Sequence, residues 1–176
     1  MKHFALVIII VALALPAAAG RRKQFEATED TFRCLLDWPK VRNTRVFNAK
    51  PKKLRKAMRI LEKSKPRRRF PKGTIIQLVP FEAMVKRGGG FNKEGRGWEF
   101  FRLEVSPEGT TIVQRGGPEV VNILTGNPSS CQGCHADAKK FDFVCEKSHG
   151  CVELGLPDIV FETLQNADPR CPPPAE

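Results

Sequence analysis

Six cysteines, at positions 34, 131, 134, 145, 151 and 171, constrain this chain most, because two of them stand close together with a histidine directly behind: Cys131-Gln132-Gly133-Cys134-His135. What the thiols become depends on where the chain goes. It opens Met1-Lys2-His3, runs apolar from Phe4 to Leu15, and leaves through Pro16-Ala17-Ala18-Ala19. A charged start, short greasy middle and small-residue exit are the marks of a secretory signal peptide. The apolar run is too short for the roughly 20 residues of a bilayer span, although an uncleaved anchor is the alternative. Cleavage is expected after Ala19, leaving residues 20–176 as one domain in the periplasm. Thiols there end as disulfides unless something else uses them.

Cys131-x-x-Cys134-His135 has a direct reading as the attachment site of one covalent haem c. The two thiols add to the two vinyl groups, and His135 follows in position to supply the proximal imidazole to iron. Two rivals use the same residues. A structural zinc site could draw on Cys131, Cys134, Cys145, His149 and Cys151, although export disfavours it. A redox-active dithiol would sit in a βαβ pattern, which the antiparallel-looking order here does not provide. Once haem takes two thiols, Cys34, Cys145, Cys151 and Cys171 remain, an even set that allows two disulfides in three connectivities. Pairing Cys145 with Cys151 would close a small loop around His149 and leave Cys34 to staple the tail through Cys171.

The hydrophobic pattern gives an α+β chain with a small antiparallel sheet. Residues 28–36 carry cap-like polar groups ahead of apolar ones and predict a short helix ending before Trp38-Pro39. Pro51 opens a second helix with Leu54, Met58 and Leu61 on one face. Thr74–Val79 and Ala83–Arg87 read as strands, interrupted by Gly88-Gly89-Gly90. Trp98–Ser106 and Thr110–Arg115 form a hairpin around Pro107-Glu108-Gly109, with Phe101, Leu103 and Val105 sharing a face. The cysteine-histidine motif falls after this sheet, on a loop or short helix. No internal repeat is present.

The formal charge is +11, and fifteen Lys and Arg lie between Lys40 and Lys72 against one acid, Glu62. Nucleic acid is excluded as a partner by export. An acidic redox protein, anionic lipid or an anionic cofactor would suit such a field, and a solvated face that keeps the chain soluble would also explain it. The iron's sixth position decides between function classes. After signal removal its candidate ligands are His149, Met58, Met84 or a lysine. Occupation would make a six-coordinate electron carrier, and vacancy a site open to small molecules. In the expected disulfide loop, His149 is read as an exposed imidazole without a metal. Met58 is read as core-facing. A third class is a zinc- or disulfide-stabilised binding module without haem. Twelve Phe and no Tyr supply aromatic bulk without phenols, and Phe100, Phe101, Phe141 and Phe143 are available to wall a porphyrin or simply to fill a core.

The ordered run of "FPKGTIIQLVP", "EAMVKR", "GRGWEFFRLEVSPEGTTI" and "CQGCHADAKKFDFVCE" resembles the cytochrome P-460 and cytochrome c′-beta family over most of residues 50–147. Its most specific parts are Gly97, Trp98, Phe100 and Phe101, and the segment Phe141-Asp142-Phe143-Val144 after the motif. The resemblance implies a small antiparallel sheet with flanking N-terminal helices, a C-terminal haem-attachment segment, one five-coordinate c-haem and a homodimer. It implies binding of NO or CO at an apolar face, or oxidation of hydroxylamine by members whose pocket lysine is cross-linked to the porphyrin. Lys86 is the candidate for that lysine, with a solvated strand-end lysine as the plain reading, and Glu119 and Glu104 are the candidates for a distal acid. The four further cysteines depart from the family pattern.

Overall fold

The computed structural model describes residues 23–88, 90–124, 130–146 and 148–173, so the expected signal peptide lies outside the described residues. Six strands pair in chain order into one antiparallel sheet: β1 (Lys40–Val41), β2 (Thr44–Phe47), β3 (Ile75–Val79), β4 (Glu82–Lys86), β5 (Trp98–Ser106) and β6 (Gly109–Gly116). The helices among the described residues are α1 (Pro51–Lys63), α2 (Cys131–His135) and α3 (Asp158–Asn166). The architecture is therefore α+β. No helix among the described residues is long and apolar enough to cross a membrane.

Strand alternation sorts the sheet's side chains into two cores. On one face Val46, Ile76, Met84, Trp98 and Phe100 meet Ala57 and Leu61 of α1, together with Phe70, Val120, Cys131, Phe143 and Val144. On the other, Ile75, Ala83, Val85, Phe101 and Leu103 are covered by Ala27, Phe32, Leu35 and Trp38 of the N-terminal segment. The cysteine-histidine motif, through Cys131, thus belongs to the α1 face. The register between β4 and β5 places Glu82 opposite Arg102, Met84 opposite Phe100 and Lys86 opposite Trp98 on that face.

Local chemistry explains most boundaries. Pro51 occupies the first turn of α1, where its missing N–H costs nothing, and Ser64 ends the helix in the left-handed region (φ 43°) while donating its N–H to Ile60 and Leu61. Gln77 pins the β3–β4 turn by donating its amide to the carbonyls of Val79, Pro80 and Glu82. The hairpin turn at 107–108 lies where its Pro and Gly neighbours predict.

One expectation needs correction, and two elements, a strand pair and a helix, were missed in the sequence. Residues 28–36 form two single 3-10 turns, Glu29–Thr31 and Leu35–Asp37, and Cys34 between them is non-helical, with φ −41° and ψ 122°. Strands β1 and β2 come from the basic stretch whose charge hides the alternation of Val41, Thr44 and Val46. Helix α3 follows Pro157-Asp158, a start signal, and buries Phe161 and Gln165 four residues apart.

Both disulfides take one of the three connectivities allowed by sequence, Cys34–Cys171 and Cys145–Cys151. They point to an oxidising, extracellular-type compartment. The first staples the N-terminal cover to the segment after α3, and a polar cluster reinforces the joint. Asp168 accepts from the Leu35 N–H at 2.9 Å and pairs with Arg170 at 2.8 Å, and Arg170 reaches the Phe32 carbonyl.

Candidate functional site

The motif is a five-residue helix continued by 3-10 turns through Phe141. Ser130 caps it by accepting the Gly133 N–H at 3.0 Å. The Cys131 N–H donates to Val120 at 2.8 Å, joining the helix to the strand-like bridge between Val121 and Ser130. Gln132 faces inward and accepts from Asn92 at 2.6 Å, while Asn92 also donates to the Trp98 carbonyl. Gly95 leaves room for that contact, since a Cβ there would collide with the Asn92 amide and lie 2.8 Å from Gln132. Asn92 has no signature in sequence, because its role depends on a partner forty residues away.

Cys131 and Cys134 are free thiols, the first buried and the second half-buried. Burial pushes the Cys131 thiol up to about 12, with nearby Glu82 adding to it. The Cys134 thiol is raised by burial and then by Asp137 and Glu82. Both are neutral groups, unlike the thiolates of reactive dithiols. Glu82 is itself raised by burial, against the N–H groups of Ile123 and Leu124 that it accepts. It is a carboxylate at the motif that no local pattern in the sequence marks. The acids expected from the family resemblance, Glu104 and Glu119, are exposed instead.

His135 is held by the Phe143 carbonyl, 2.7 Å from Nδ1. A carbonyl only accepts, so Nδ1 carries the proton and Nε2 keeps a bare lone pair, the form of imidazole that binds metals. Burial lowers its pKa, against the opposing effect of this hydrogen bond. The ring leans on Phe100 with centroids 5.2 Å apart. Of the other expected wall residues, Phe143 is buried in the same core, Phe141 stacks on His149 at 3.6 Å, and Phe101 lies on the opposite face against Phe32. Phe101 therefore cannot border the motif.

Two expectations about single side chains are overturned. Lys86 is not solvated: only 5% exposed, it places Nζ 2.8 Å from both carboxylate oxygens of Asp142 and lies over the Trp98 ring. Burial lowers its pKa to about 8 despite Asp142, and Arg69 and Arg96 lower it further. His149 is not exposed either. It is 6% accessible, its Nδ1 donates to Val144 at 2.7 Å, and its Nε2 is buried with no hydrogen bond. A cavity of about 10 Å³, room for one water, adjoins it beside Ser64 and Phe141. Met84 is buried in the core that contains Cys131, and Met58 packs against that core. With Cys145 and Cys151 bonded to each other, they are not available to close a zinc site with the motif.

A second cavity, about 370 Å³, opens among Arg69, Lys93, Arg96 and Phe91. Neither cavity is bordered by Cys131, Cys134 or His135. Beside the motif, Val121 and Ile123 leave large apolar side chains 36% and 47% exposed.

The fold and site define an α+β domain with a six-stranded meander, two disulfides and a free thiol pair followed by an imidazole whose Nδ1 donates to a backbone carbonyl. No protein-family model, curated protein or solved structure matches the chain.

Proposed function

We propose that this protein is an exported mono-haem c-type cytochrome of the cytochrome P-460 and cytochrome c′-beta kind, binding or redox-processing a small nitrogen-oxide-type ligand such as NO or hydroxylamine. The observation that carries this reading is selective pairing. Four cysteines are bonded in pairs, while Cys131 and Cys134, closest together in sequence, remain thiols on one short helix. His135 follows them with its tautomer set for ligation. These residues fit the group: Cys131 and Cys134 would carry its thioethers, and His135 Nε2 would hold its iron. When bound, it supplies a redox-active iron with an exchangeable position. Cys131 is buried, so its surroundings must open during attachment. Exposed Val121 and Ile123 offer apolar surface for the macrocycle to cover.

The chain's own contribution is placement and exclusion. Phe143 keeps Nδ1 of His135 protonated, Phe100 and Phe143 turn apolar surface toward the site, and Glu82 is a raised-pKa carboxyl able to hold a proton near the motif. Apolar walls favour neutral diatomic ligands over anions. A homodimer and an acidic redox partner for the basic face belong to the same reading.

A six-coordinate electron-transfer cytochrome is favoured by one observation, the buried and unpartnered Nε2 of His149. Optical spectra of the ferric, reduced and CO-treated protein, matured with a working cytochrome-assembly system, separate the two. The open site gives high-spin ferrous haem that takes CO, and His149→Ala leaves that spectrum unchanged. A low-spin spectrum indifferent to CO, changed in spin state by His149→Ala, establishes the second reading. A matured product without added tetrapyrrole by mass spectrometry defeats both.

A further inference from the structure

Asp142, Phe143 and Val144 offer three consecutive carbonyls to three aromatic ring N–H groups. Trp98 Nε1 donates to Asp142 at 2.6 Å, His135 Nδ1 to Phe143 at 2.7 Å, and His149 Nδ1 to Val144 at 2.7 Å. Asp142 and Phe143 hold this fan open in left-handed conformations, with φ 58° and 67°. Non-glycine residues keep such angles only where the surroundings impose them.

The surroundings here converge on one side chain. The Asp142 carboxylate, fully buried, accepts both contacts from Lys86 Nζ at 2.8 Å and the Phe70 N–H at 2.9 Å. Lys86 lies in β4 and Trp98 directly opposite in β5, so the sheet's register grips Asp142 by its carboxylate and its carbonyl together. A buried ion pair is poor evidence of net stability, because desolvation offsets its attraction. Its two-point geometry does fix direction, which an apolar pair of equal volume would not.

We propose that the Lys86–Asp142 pair is a positioning device for His135: by locking the left-handed turn at 142–143 it aims the Phe143 carbonyl at Nδ1, which sets the tautomer, direction and basicity of Nε2. The purpose of the device rests on the haem reading, and its geometry does not. Lys86 and Asp142 are positioning residues, acting on a ligand through the backbone. The strength of the Nδ1–H contact tunes a metal-bound imidazole, so removing the pair alters the iron–imidazole bond without touching either partner in it.

The test uses the double variant K86M/D142N, which removes both charges, leaves no lone buried ion and keeps at 142 a side chain tolerant of positive φ. Resonance Raman of the matured ferrous protein reads the iron–histidine stretch, and ¹⁵N NMR of the haem-free chain reads the His135 tautomer. The expected results are a broadened band shifted to lower frequency and a His135 signal divided between tautomers, with Lys86→Arg keeping both near wild type. A double variant with intact disulfides, an unshifted band and a single Nδ1-protonated tautomer overturns the proposal. If the double variant does not fold, Asp142→Asn alone breaks the two-point contact with Lys86, and there an unshifted band with a single Nδ1-protonated tautomer overturns it as well. Should the wild-type chain carry no haem, the functional reading fails alone, and the tautomer measurement still decides the positioning role.

Discussion

Lys86 shows how much a single side chain's meaning depends on what surrounds it. In sequence it ends a strand before three glycines, where a lysine normally reaches water. In the fold it is a buried ammonium bound to a buried carboxylate. Lys86→Met should cost about 3–5 kcal/mol, because it strands the Asp142 charge, while K86M/D142N should be far milder; denaturant midpoints of the two variants check this. The lysine also creates an alkaline signature. Its pKa falls from 10.5 to about 8 on folding, so between those values the unfolded chain holds a proton that the folded chain releases. Stability then rises with pH across that window and is lost as pH falls through about 8. Guanidine unfolding at several alkaline pH values should show the gain in wild type and not in the double variant.

At the scale of elements, β5 separates two jobs by alternation alone. Phe100 faces the motif, and Phe101 faces the N-terminal cover. Phe101→Ala should destabilise the chain by about 3–5 kcal/mol and, with the proposed haem bound, leave its spectrum as it was. Phe100→Ala, at similar cost, should alter the spectrum, because it removes the ring against His135. Identical spectra for the two variants would detach Phe100 from the site. The N-terminal cover has no regular helix of its own, so its attachment relies on packing and on the bond from Cys34 to Cys171. Replacing both cysteines with serine should cost about 2–5 kcal/mol, read as a lower melting temperature and earlier hydrogen exchange in residues 25–38.

For the molecule as a whole, the charge is arranged rather than merely large. Lys52, Arg55, Lys56, Arg59 and Lys63 stand on the exposed face of α1, with Arg67, Arg68 and Arg69 following, while Glu99 is buried between Arg87 and Arg115. If the basic face docks the proposed acidic redox partner, the transfer rate should fall as ionic strength rises through the physiological range. Rates indifferent to salt would leave the basic face as a solubilising surface only.

Local information was enough for the elements whose signals are themselves local. Pro51 and the spacing of Leu54, Met58 and Leu61 mark α1, the Pro-Glu-Gly turn marks the last hairpin, and five contiguous residues carry the chemistry of the motif. Even the disulfides were confined to three pairings by counting. Tertiary structure decided what depends on distant partners: which Phe of the adjacent pair meets the histidine, that Lys86 and His149 are buried, that Asn92 anchors Gln132, and that Asp142 anchors Lys86. A hydrogen bond or ion pair across forty or more residues leaves no periodic trace in the text of a chain, because either partner alone looks like an ordinary polar residue until folding removes the water between them.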